Sequence, residues 1–122
     1  MIELKELNSK AYPTTPEIDS NLQILLERVN KIRVEWGKPM KVTSGLRSQA
    51  DQQRINPAAP KSKHLLGQAV DIYDPDLSLT AWLKENGSQR LIDAQLWCEE
   101  GNRNWVHFQC VSSKSGNRWF LP

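Results

Sequence analysis

The run Ser62-Lys63-His64-Leu65-Leu66-Gly67-Gln68-Ala69-Val70-Asp71 decides how this chain is read. It sets His64 and Asp71 seven residues apart with Gly67 between them, and it passes from a loop into a strand-like end. The chain has only two histidines, and the second, His107, lies in another strand-like run, Trp105 to Val111. Strand parity relates the two segments. In Ala69–Tyr73, Val70 and Ile72 share one face, while Ala69, Asp71 and Tyr73 share the other. In Trp105–Cys110, Val106, Phe108 and Cys110 share one face, while Trp105, His107 and Gln109 share the other. If the apolar faces point into one core, Asp71 and His107 project together from the opposite side. Neighbouring strands lie about 4.8 Å apart, so both side chains would reach a single ion. His64 is an odd number of residues from Asp71, and a straight strand would put it on the wrong side; Gly67 allows the bend that returns it. A His/Asp/His trio suits zinc with one coordination position left open, which points to metal-dependent hydrolysis. The plainer reading is two histidines at the surface or satisfied in the core, with Asp71 accepting hydrogen bonds from a turn.

Outward from this run, Thr15-Pro16-Glu17 opens the clearest helix: Thr15 as N-cap, Pro16 at the first helical position, an acid in the first turn. Ile18, Leu22, Leu25, Leu26, Val29, Ile32 and Trp36 follow helical spacing, and Gly37 ends the run. Glu27, Arg28, Lys31 and Glu35 fall largely on its wet side. Lys41–Ser44 reads as a short strand ending at Gly45, and Ser48 as the cap of a short helix through Ile55. Two prolines in Asn56–Lys61 make that stretch a loop. Asp74-Pro75-Asp76 is a turn, and Ser78 is expected to cap a helix to Asn86, closed by Gly87. Ser88 is expected to open another helix to about Glu100, closed by Gly101. Ser115-Gly116-Asn117 reads as a turn and Arg118–Leu121 as a last short strand. Helices and strands mix without βαβ alternation, which predicts an α+β domain with a small, mainly antiparallel sheet packed with helices.

Length and composition bound the rest. The 122 residues predict one domain, 1–122, with one core. Apolar residues at 39% and charged residues at 25% are ordinary for a globular chain. A net charge of +2 gives no electrostatic case for a nucleic-acid partner. No stretch approaches the roughly 18 apolar residues of a membrane span. The start, Met-Ile-Glu-Leu-Lys-Glu-Leu, lacks an apolar segment behind a basic one, so no secretory signal is expected. With no sign of secretion, Cys98 and Cys110 are expected to be reduced rather than paired.

The run 62–71 fits, at every fixed position, the S-x-H-x-x-G-x-A-x-D signature of the zinc peptidases of the M15 family, and the chain resembles that family. Its members include D-alanyl-D-alanine carboxypeptidases, dipeptidases and phage endolysins that cut peptidoglycan peptides. Three further segments resemble it in the same order. Thr43-Ser44-Gly45-Leu46-Arg47-Ser48 is similar to its T-S-G-x-R-S segment, Gln95–Glu99 to a late helix ending in an acid, and Trp105-Val106-His107 to its W-x-H strand. The resemblance covers roughly residues 40–110. It implies an M15 (hedgehog and DD-peptidase-like) fold and a zinc ion held by His64, Asp71 and His107, with a fourth position for water. It further implies that Arg47 holds a substrate carboxylate or the oxyanion, a task suited to guanidinium.

The resemblance departs from the family at the base. Many members carry an acid three residues before the second zinc histidine, where this chain has Asn104, which cannot take a proton at neutral pH. Glu99 or Glu100, at the end of the expected helix, would stand in, a carboxylate at that end of the dipole being nudged upward in pKa; within the W-V-H branch the acid resembles Glu99. Ser62 is expected to touch substrate or to support His64. Among Trp97, Trp105 and Trp119, Trp105 shares the face of His107 and is the expected cleft residue. The function implied is a monomeric zinc metallopeptidase acting on peptidoglycan stem peptides, as carboxypeptidase or endopeptidase. The rival is a zinc-stabilised wall-binding or virion-structural module of little or no activity, which Asn104 keeps open. A phage protein held in the host cytoplasm until release to the cell wall, or carried on the virion, fits either.

Overall fold

Thr15 caps the long helix as its spacing predicts. In the computed structural model, which describes residues 1–122, its hydroxyl accepts from the Ile18 N–H and helix α2 runs Pro16–Trp36 to a left-handed Gly37. One stripe of α2, Leu22, Leu25, Val29 and Ile32, is buried; each such side chain contributes about 2 kcal/mol through burial. The stripe packs on one face of a five-stranded sheet ordered β1-β2-β4-β3-β5, formed by Val42–Ser44, Ala69–Asp74, Trp97–Glu99, Asn104–Gln109 and Trp119–Phe120 as β1 to β5. The core gathers Val70, Ile72, Val106, Phe108 and Cys98 from the sheet with Leu79, Leu83, Leu91 and Ala94 from two later helices, α4 (Ser78–Lys84) and α5 (Gln89–Ala94). A one-turn helix α1, Leu4–Leu7, which periodicity does not reveal, sends Leu7 into the same core. Ser48 caps α3, Gln49–Ile55, as expected. All strand pairs are antiparallel except β3–β5. The α+β architecture expected from the sequence is the one observed.

The structure corrects several local expectations. The helix opened by Ser88 does not run to Glu100. It ends at Ala94, where Gln95 turns left-handed (φ 58°) and the Leu96 N–H bonds back to the Leu91 carbonyl. Trp97–Glu99 is therefore strand, not the end of a helix. Leu96 and Cys98 are buried while Trp97 and Glu99 are half-buried, an alternation of period two that a short window leaves ambiguous. Arg118 donates to the Leu91 and Leu96 carbonyls, and Arg28, expected on the wet side of α2, donates to those of Gln95 and Cys110. The two arginines thus bind carbonyls at and just beyond the end of α5, with Arg28 also reaching across to that of Cys110.

Helix α4 starts and ends differently from the expectation that Ser78 caps a helix to Asn86. Ser78 is its first residue and Leu77 its N-cap position; carboxylates of the preceding turn do the capping, Asp74 accepting from Leu79 and Thr80 and Asp76 from Ser78. This helix stops at Lys84, and Asn86 and Gly87 adopt positive φ in the 3-10 turn Glu85–Ser88. The last strand is shorter than expected, Trp119–Phe120. Cys98 and Cys110 are free, buried thiols, both pushed up in pKa by desolvation.

Candidate metal centre and active site

The face of the sheet away from α2 carries the site. Asp71 on β2 stands opposite His107 on β4, and Ser44 on β1 stands opposite Asp71. On the far side Glu99 stands opposite Phe120, and the β3–β4 register, Trp97 to Gln109 and Cys98 to Phe108, brings Glu99 level with His107. A row of polar and aromatic side chains thus crosses the sheet, on the face that parity assigns to Asp71 and His107.

His64 reaches this row by the bend that Gly67 permits. Lys63–Leu66 is a 3-10 turn, capped at its start by Ser62 Oγ, which accepts from the His64 N–H at 3.2 Å. It closes on Gly67 at φ 72°. A Cβ there would stand 2.9 Å from Leu22 Cγ, so both backbone and space require glycine. The His64 ring is 2% exposed, and its Nδ1 lies 2.8 Å from the Gly45 carbonyl oxygen. A carbonyl only accepts, so Nδ1 carries the proton and Nε2 its lone pair.

Asp71 divides its two oxygens. Oδ2 pairs with Arg47 Nη2 at 3.1 Å, while Oδ1 lies 3.0 Å from His107 Nδ1 and 3.3 Å from His64 Nε2. The last contact lacks hydrogen-bond alignment, and His64 Nε2 is a buried nitrogen with no hydrogen-bond partner. One donor atom from each of His64, Asp71 and His107 lies within 4.8 Å of the others. A lone pair aimed at a carboxylate oxygen in a buried place calls for a cation. The N₂O donor set suits zinc, and the Gly45 carbonyl is the kind of outer partner that orients a ligating histidine.

Electrostatics agree with the geometry. Burial would push the Asp71 carboxyl up, but the two imidazoles outweigh it and hold it well below the usual carboxylate range. Burial would push His107 down, but Asp71, with help from Glu99 and Gln109, raises it. Burial lowers Arg47 against the opposing charges of Asp71 and Glu99.

The expected site residues fall as follows. His64, Asp71 and His107 converge. Arg47 is turned inward: Nε donates to Ser44 Oγ, Nη1 to Gln52 Oε1 and Nη2 to Asp71, so three of the five guanidinium N–H groups are engaged. Ser62 serves His64 as a cap. Of the two acids, Glu99 faces the row, its charge felt by both Arg47 and His107, whereas Glu100 pairs with Lys84 at 3.0 Å. The helix-end argument, which applied to either acid, falls with the helix; the place of Glu99 on β3 is what separates it from Glu100. Asn104, at φ 68°, stands opposite Asp74 at the start of β4. Trp105 is 37% exposed opposite Tyr73, 49% exposed, and the two rings flank the row. Trp97 lies under Arg118, and Trp119 donates to Ser88 Oγ beneath Lys84, so neither is free as Trp105 is.

Residue-by-residue reading missed Gln52, which is fully buried and ties Arg47 to the carbonyls of Asn56 and Ala59. It also missed Phe120, whose ring meets His107 edge-on at 6.2 Å. Phe120 meets His107 across the sheet, and Gln52, though its partners lie four to seven residues away, carries no sign in its residue type of being buried.

The family model described as Peptidase M15 matches residues 2–109. No curated protein matches the chain. Among solved structures, the L-Ala D-Glu endopeptidase ChiX of Serratia marcescens is similar, with a TM-score of 0.56 and 20% identity over 91% of this chain and 99% of that one. At that identity the likeness is one of fold.

Proposed function

The chain belongs to the M15 family of peptidases, and on that footing we propose that it hydrolyses a peptide bond of peptidoglycan stem peptides with zinc as cofactor. The observation that carries the reading is the buried meeting of His64 Nε2, Asp71 Oδ1 and His107 Nδ1 beside Glu99. His64, Asp71 and His107 would hold the ion. Zinc in such a site supplies Lewis acidity, polarising a carbonyl and acidifying water. The chain's own groups account for the rest. A Glu99 carboxylate oxygen takes the proton of the attacking water and returns it to the departing amine nitrogen. Arg47 holds Asp71 in place, and its two remaining N–H groups are available to a substrate carboxylate or to the oxyanion. Trp105 and Tyr73 border the approach.

The fold relative is named for the L-Ala–D-Glu bond, which makes that bond the first to test and favours an endopeptidase. Purified peptidoglycan is digested with and without a chelator, products are resolved by mass spectrometry, and zinc is measured on the same sample. The expected result is new peptides beginning at D-Glu that vanish with chelator and return with Zn²⁺. Release of terminal D-Ala would make it a carboxypeptidase. One bound zinc with no cleavage would favour the wall-binding module instead.

A further inference from the structure

We infer that Gln109 is a positioning residue that fixes the proton of His107 on Nε2 and so leaves Nδ1 as a donor to the metal; this rests on the zinc reading of the site. Gln109 is 4% exposed and follows His107 by two residues on β4, hence on the same face. Its amide has one possible orientation. The Nε2 end donates to the Val111 carbonyl at 3.0 Å, and that oxygen can only accept. The Oε1 end therefore faces His107 Nε2, at 3.1 Å, and it too can only accept. The imidazole must supply a proton there.

The consequence appears on the other side of the ring. A neutral imidazole with its proton on Nε2 presents a lone pair at Nδ1, which lies 3.0 Å from Asp71 Oδ1. Two electron-rich atoms face each other at hydrogen-bond distance in a buried place, and a cation relieves them. Without Gln109 the preference reverses. Asp71 would draw the proton onto Nδ1, and the resulting Nδ1–H···Oδ1 bond would occupy the donor the metal needs. Gln109 does for His107 what the Gly45 carbonyl does for His64.

Two variants test this. Gln109→Leu keeps the volume and removes the acceptor; Gln109→Glu keeps an acceptor toward Nε2. The ring tautomer is read from long-range ¹H–¹⁵N spectra of the metal-free protein at a pH where both rings are neutral. Zinc affinity is read by competition with a chelator, and folding by circular dichroism. Wild type and Gln109→Glu should show His107 protonated on Nε2. Gln109→Leu should move the proton to Nδ1 and weaken zinc about ten- to a hundredfold. Protonation on Nδ1 in the wild type, or a folded Gln109→Leu with unchanged tautomer and affinity, would overturn the inference. A wild type that shows the Nε2 proton but binds no zinc would overturn the zinc reading and leave the tautomer assignment standing.

Discussion

Arg47 and Asp71 form a buried ion pair, Nη2 to Oδ2 at 3.1 Å, with both side chains only 10% exposed. Because Arg47 takes one carboxylate oxygen, Asp71 turns the other toward the two histidines. The T-S-G-x-R-S segment thereby holds the His64/Asp71/His107 cluster from outside it: Gly45 orients His64, Arg47 orients Asp71, and Ser44 and Gln52 orient Arg47.

Removing Arg47 should strand a buried carboxylate. Arg47→Leu is expected to cost about 3–5 kcal/mol in the metal-free protein, the range for breaking a buried pair from one side. The loss should be smaller with zinc bound, because the ion compensates Asp71. Arg47→Lys keeps the charge but cannot reach Ser44, Gln52 and Asp71 together, and should fall between. Urea unfolding with and without zinc measures all three; equal losses in both states would remove Asp71 from the ligand set.

Glu99 and Glu100 should separate cleanly. Glu99→Gln is expected to lower turnover by about 10²–10⁴, the usual contribution of a general base, with zinc content unchanged. Glu100→Gln loses only a surface pair with Lys84 and should change turnover little. Steady-state digestion assays with metal analysis decide it, and equal losses at the two positions would remove Glu99 from its place as base.

Asp71 and His107 make stability depend on pH in opposite directions. Asp71 is depressed in the folded state, so its contribution is present above the unfolded value of about 3.9 and is lost as pH falls below it. His107 is raised, so its contribution is complete below about 6.5 and fades as pH rises through the folded value. Zinc needs unprotonated histidines and runs the other way. The rise in Tm on adding zinc should therefore grow between about pH 5.5 and 8. Calorimetry of metal-free and zinc-loaded protein reads the difference; a constant increment would argue against histidine ligation.

Two glycines are held by different constraints. A Cβ on Gly45 would overlap the Leu7 carbonyl, because α1 lies directly over it. Gly45→Ala should cost about 1–3 kcal/mol from overpacking and also weaken zinc, since the same residue's carbonyl holds His64. Gly67→Ala meets both a positive φ and Leu22, and a similar loss of about 1–3 kcal/mol is expected. Thermal melts and zinc titration of each variant check this.

The long helix, the parity that puts Asp71 and His107 on one face, and the need for a bend at Gly67 were all legible in the chain. Each depends on neighbours within a few residues: a cap, a 3.6-residue or two-residue period, a missing Cβ. Even Gln109 was marked by parity as a companion of His107, though not its task. Other features were settled by distant partners. Trp97–Glu99 becomes strand because Gln95 turns left-handed and β4 and β5 stand ready on either side. That pairing, rather than a helix end, separates Glu99 from Glu100. Arg47 turns inward because Asp71, Ser44 and Gln52 together satisfy a guanidinium that burial alone would penalise. Local propensity reflects the free energy of a segment and its nearest turns; the charge that draws Arg47 inward belongs to Asp71, 24 residues away, and that contact exists only once the sheet has closed.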